Sequence, residues 1–123
     1  KMATLTAKLT LTSSNATSDA LNLTVTDTLT TTEPSIPVAR VSVTTVGANN
    51  IIQPSTDGQT YYVYVKHTGD SGTLHVELTG DVAIGKLAAG EFMFMPVGGH
   101  SLGGQLQSSA STIIAEYAYF TKG

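Results

Sequence analysis

The chain has no cysteine and no tryptophan. Without cysteine there is no disulfide framework, no zinc–thiolate site and no thiol nucleophile. Charge is scarce as well: 12% of residues, six Lys/Arg against nine Asp/Glu, for a net charge of −3. The six cations (Lys1, Lys8, Arg40, Lys66, Lys86 and Lys122) are scattered and form no basic stripe, so no nucleic-acid partner is expected. No apolar run approaches the roughly 18 residues a membrane helix needs, and no membrane association is expected. The opening Lys1-Met2-Ala3-Thr4-Leu5 meets polar residues before an apolar stretch can form, so it does not read as a signal peptide. With 123 residues, one domain spanning 1–123 is expected.

What the chain does have is hydroxyls, 20 Thr and 11 Ser, with 12 Gly for turns. Thr favours strands, and a two-residue period dominates. Leu5, Ala7, Leu9 and Leu11 alternate with Thr4, Thr6, Lys8, Thr10 and Thr12, giving a strand with one dry and one wet face. After a polar turn over 13–19, Leu21, Leu23 and Val25 alternate with Asn22, Thr24 and Thr26. Leu29–Pro37 carries two prolines and reads as the longest loop. Further strands are expected over Val38–Val46, at Ile51-Ile52, and over Asp81–Leu87, Glu91–Val97, about 100–107 and Thr112–Phe120.

Tyr61–Thr68 and Thr73–Thr79 flank Gly69-Asp70-Ser71-Gly72 and read as a hairpin. Its expected register sets Lys66 opposite His75, Val65 opposite Val76 and Tyr64 opposite Glu77. Val63, Val65, Leu74, Val76 and Leu78 then share the core side. Eight or nine short antiparallel strands without a helical period mean an all-β single-domain sandwich. A jelly roll is the first choice and an immunoglobulin-like sandwich the second.

Gly99-His100-Ser101-Leu102-Gly103 matches G-x-S-x-G, the nucleophile elbow of α/β-hydrolases. That elbow needs a helix after the serine and an acid and a histidine further on. Here Thr112-Ile113-Ile114 is β-branched, no histidine follows Ser101, and Glu116 is the one acid after it. The string reads as a glycine-rich turn, and no catalytic residue is expected. His75 and Glu77 share a face, but a lysine opposite His75 would repel a cation, so no metal site or cofactor is expected. His67 has core-facing parity at a strand end and reads as a capped histidine. Asp19, Asp27, Asp57, Asp70 and Asp81 read mostly as turn residues; calcium between two loops lacks the usual ligand spacing. Asn15-Ala16-Thr17 and Asn22-Leu23-Thr24 match the glycosylation sequon, as a Thr-rich chain does by chance.

One pattern stands above this background. Phe92 and Phe94 point one way and Met93 and Met95 the other. Likewise Tyr117 and Tyr119 lie opposite Ile114 and Phe120. A strand apolar on both faces is covered on both faces, either by a loop of the same chain or by another subunit. The uniformly large sets, Phe92/Phe94 and Ile114/Phe120, are expected to fill the core. Met93, Met95, Tyr117 and Tyr119, with Tyr62 and Tyr64, are then the candidate interaction residues.

The Thr-rich first strand, the central Tyr-Tyr-Val-Tyr-Val at 61–65 with its Gly-Asp-Ser-Gly turn, Lys-Leu-Ala-Ala-Gly-Glu-Phe-Met-Phe-Met-Pro at 86–96 and Ala-Glu-Tyr-Ala-Tyr-Phe at 115–120 together resemble small virion structural proteins of tailed bacteriophages. The resemblance implies a jelly-roll or sandwich module that decorates the capsid as a cement protein, or belongs to the tail or a fibre. It implies a place in the virion, on the outer capsid surface first, with the major capsid protein or other virion proteins as partners and many symmetric copies. It carries over no site residue. A carbohydrate-binding sandwich, using Tyr62 and Tyr64, is the reading from another class.

Overall fold

A computed structural model describes residues 2–44, 49–52, 60–78, 82–97, 104–109 and 112–123. Among these there is no helix. Nine antiparallel strands form two sheets: β1 (Ala3–Ser13), β2 (Leu21–Val43), β3 (Asn49–Ile52), β4 (Tyr61–His67), β5 (Leu74–Leu78), β6 (Val82–Leu87), β7 (Phe92–Val97), β8 (Gly104–Ser108) and β9 (Ile113–Lys122). The first sheet has the order β1-β2-β9-β4-β7 and the second β3-β8-β5-β6. The all-β, sandwich-like fold is therefore as expected.

The two sheets meet through side chains of alternating positions, as a strand's two-residue period requires. Val43, Tyr61, Val63, Val65, Ile113 and Ala115 come from the first sheet, and Ile51, Leu74, Val76, Leu87 and Leu106 from the second. Tyr61 and Tyr119 meet edge to face between them, with centroids 5.8 Å apart. Val65 and Val76 are both core residues, as the alternation foretold.

Two expectations about the chain path are corrected. Residues 61–78 do not form a hairpin: β4 lies in the first sheet and β5 in the second. Lys66 pairs with Phe92 and Glu116, while His75 pairs with Lys86 and Gln107. The Gly69–Gly72 turn is a crossing between sheets, pinned by His67. That side chain is fully buried; its Nδ1 accepts the Gly69 N–H at 3.0 Å, and its Nε2–H donates to the Gly72 carbonyl at 3.1 Å. The tautomer follows from these two partners. Gly72, at φ 84°, supplies a backbone conformation that a side chain would resist.

Nor is 29–37 a loop. β2 runs unbroken from Leu21 to Val43 because it changes partner midway. Its first half pairs with β1, from Leu21↔Ser13 to Thr31↔Ala3, and its second half with β9, from Thr31↔Lys122 to Val43↔Ile113. Proline cannot donate to a ladder, and the register shifts between Thr32/Ser35 and between Ile36/Ala39 absorb Pro34 and Pro37 as bulges. The Ser35 hydroxyl donates to the Thr32 carbonyl and accepts the Thr121 N–H, bracing the first bulge. The consequence is a two-stranded ribbon, β1 with the first half of β2, that pairs with no other strand among the described residues.

Candidate functional site

The ribbon has two unlike faces. In register, Leu5 faces Leu29, Ala7 faces Asp27, Leu9 faces Val25 and Leu11 faces Leu23. Between these pairs lie Thr4–Thr30, Thr6–Thr28, Lys8–Thr26 and Thr10–Thr24. One face is a row of aliphatics broken by a single acid; the other is nearly all hydroxyl. Asp27 is thus a mid-strand residue, not the turn residue expected, and its carboxylate accepts the Thr28 N–H at 2.8 Å.

The first sheet also has two faces, and the expected assignment is reversed. Phe92 and Phe94 do not enter the core: they are 63% and 41% exposed, and Ile114 is 43% exposed. Met93, Tyr117 and Tyr119 pack on the core instead, and Met95 shares their side of β7, half-buried. Gly85 on β6 makes room for this. It lacks the Cβ that would stand 3.3 Å from the Met93 sulfur, so the methionine closes the edge between the sheets. Met93, Met95, Tyr117 and Tyr119 therefore belong to the inside.

Of the expected interaction residues, Tyr62 and Tyr64 lie on the outer face with Phe94. Tyr62 is buried and stacks on Phe94, with centroids 6.3 Å apart and planes 18° apart. The Tyr64 hydroxyl donates to Glu116 at 2.8 Å. Burial first, and then this bond to a carboxylate and its charge, raise the Tyr64 pKa above the ordinary value. Burial likewise raises that of Tyr119, with Tyr61 and Tyr117 adding to it. Tyr62, buried and already stacked on Phe94, offers no free flat platform of the kind a sugar ring stacks on.

The outer face and the ribbon line one open groove of about 780 Å³. Leu5, Leu9, Val25 and Leu29 form one wall; Tyr62, Phe92, Phe94, Pro96 and Phe120 form the other, with Val38 at the bulged bend. Charge is sparse here. The charged lining residues are Lys8 and Asp27, both on the ribbon; nearby on the sheet Lys66 lies beside Glu116, and Arg40 pairs with Glu116 at 3.6 Å. Such a surface can bury apolar area.

Elsewhere the polar groups are tied into structure. Glu77 and Gln105 are buried, and the Gln105 amide donates to Glu77 at 2.8 Å. His75 lies 3.9 Å from Glu77, and the lysine beside it is Lys86, not Lys66. Among the described residues no cluster of three or more His, Asp or Glu is placed to hold a metal. Ser101 and its glycines, with Asp57 and Asp81, lie outside the described residues. Comparison with protein-family models, curated proteins and solved structures finds no match for this chain.

The outer face was legible in principle. Lys66 interrupts the Tyr62/Tyr64 row and Glu116 interrupts the Ile114/Ala118/Phe120 row. Rows broken by charge face away from a core, and strand pairing puts Phe92 beside Lys66.

Proposed function

We propose that this chain is a non-enzymatic structural protein of a bacteriophage virion, a decoration (cement) protein on the outer surface of the capsid that reinforces the assembled head. Its partners are the major capsid protein and further copies of itself, arranged by symmetry. The observation that carries this is the uncovered apolar groove. A contiguous exposed apolar surface commonly marks an interaction site, and a surface with so little chemistry acts by being buried.

The sandwich is proposed to be a jelly roll, an architecture used in viral capsids. Its support is the strand order. From the second half of β2 onward, eight strands lie as β2-β9-β4-β7 over β3-β8-β5-β6, with β1 added at one edge. The resemblance in the amino-acid pattern to phage virion proteins points the same way.

The test adds purified protein to capsid shells that lack it, at low and at high salt. Apolar burial predicts binding that changes little with salt. A variant with Phe92 and Phe94 both changed to Ser, correctly folded, should bind far more weakly. Loss of wild-type binding at moderate salt, or full binding by the double variant, would overturn the proposal.

A further inference from the structure

We infer that the groove is filled by a second copy of this chain: the ribbon tip of one copy packs on the Phe92–Phe94 face of another. This deepens the structural-protein reading by naming the first partner of the apolar face, and it is testable without any shell.

Both halves of the contact are present in one chain, and each is only partly covered within it: Tyr62 and Ala118 are buried on the outer face, while Phe92 and Phe94 beside them are not. An isolated two-stranded ribbon is marginal in water unless its apolar face is covered. Here the aliphatic row outlasts the sheet beneath it. Leu9 and Val25 line the groove, but Leu11 and Leu23, one pair further out, do not. Their exposures are 46%, 51%, 44% and 39%. On the sheet side Val38, Phe92 and Phe94 are 59%, 63% and 41% exposed. At about 150–250 Å² for an aromatic side chain and less for Leu or Val, these residues expose several hundred Å² together. A stable interface takes about 800 Å² from each partner.

Charge does not oppose the contact. Of the ribbon residues that line the groove one is a base, Lys8, and one an acid, Asp27, and the sheet's outer face carries Lys66 and Arg40 against Glu116. The bulged bend at 32–39 joins the ribbon to the body, and such a bend is where a ribbon is re-aimed. Each copy both gives and receives a ribbon, and reciprocal exchange between two copies closes the contact as a two-fold dimer.

The absence of cysteine makes the test clean. One chain carrying Val25→Cys and another carrying Phe94→Cys are mixed under mild oxidation, both substitutions being at partly exposed positions. The wild-type chain is followed in parallel by sedimentation velocity from 1 to 100 µM (about the range in which weak protein contacts form). The inference expects the wild type to dimerise within that range, and the mixture to give a disulfide-linked heterodimer in far higher yield than either variant gives of its homodimer. A wild type that stays monomeric at the top of the range would overturn it. So would a dimer without the Val25–Phe94 cross-link, or a cross-link formed only within one chain carrying both substitutions. A chain that dimerises in this way yet ignores capsid shells would keep this inference and remove the decoration reading.

Discussion

Neighbouring residues on β7 should respond to truncation in the opposite order to their size. Phe92→Ala removes the larger side chain, but that side chain is 63% exposed. Fully burying such a group is worth about 3 kcal/mol at most, so the third that is covered leaves roughly 1 kcal/mol to lose. Met93→Ala removes a side chain lodged between the sheets, its sulfur against the open space over Gly85. Core Met→Ala changes cost about 2–5 kcal/mol including the cavity left behind; for a half-buried methionine the lower end, about 2–3 kcal/mol, applies. Urea melts at submicromolar concentration, below the range in which dimers are expected, provide the assay. With a slope of about 1–3 kcal/mol per molar, Met93→Ala should lower the midpoint by about 1 M or more at unchanged slope, and Phe92→Ala by less than half of that. Equal shifts, or a larger one for Phe92→Ala, would mean that the facing of β7 is wrong.

Val76→Asp places an unpaired carboxylate in the core and should cost several kcal/mol or prevent folding, whereas Arg40→Ala should cost under about 0.5 kcal/mol, since its ion pair with Glu116 is solvent-exposed; denaturant melts compare the two. Gln105→Ala removes the amide that donates to buried Glu77 and should cost about 1–3 kcal/mol in the same melts. Tyr64 and Tyr119 hold their protons more tightly when folded, so their contribution is fully present below the ordinary tyrosine value near 10 and is lost as pH rises through the raised folded values. Urea midpoints measured from pH 8 to 11 should therefore fall at the alkaline end, and Tyr64→Phe should flatten that fall. Ser101→Ala should leave hydrolysis of short activated esters at the buffer rate, as in the wild type; turnover by the wild type that vanishes in the variant would show an esterase.

The two-residue period made most strands visible, because alternation of Leu with Thr, or of Val with Tyr, is a direct consequence of side chains pointing to opposite faces. It could not say which strands share a sheet. A short Gly-Asp-Ser-Gly turn between strands of matching parity looks the same whether the chain folds back beside itself or crosses to the other layer. The deciding group was His67, whose two ring nitrogens fasten the crossing. Pro34 and Pro37 read as a loop because each lacks an N–H. The ladder continues past them because β2 exchanges β1 for β9 there and bulges at both places. On β7 the period was silent for a different reason: with Phe on one side and Met on the other, both faces are apolar, and hydrophobicity alone cannot choose. The choice rests on cross-strand neighbours, Lys66 beside Phe92 and Gly85 across from Met93, and the second of these is a contact between sheets.

The central claim is that the Phe92–Phe94 face is buried when the protein is at work. Hydroxyl-radical footprinting tests it directly, comparing the dilute isolated chain with the chain in the assembled particle. Phe92 and Phe94 should be labelled readily in the dilute chain and should lose most of that labelling in the particle. Equal labelling of both phenylalanines in the two states would contradict the account.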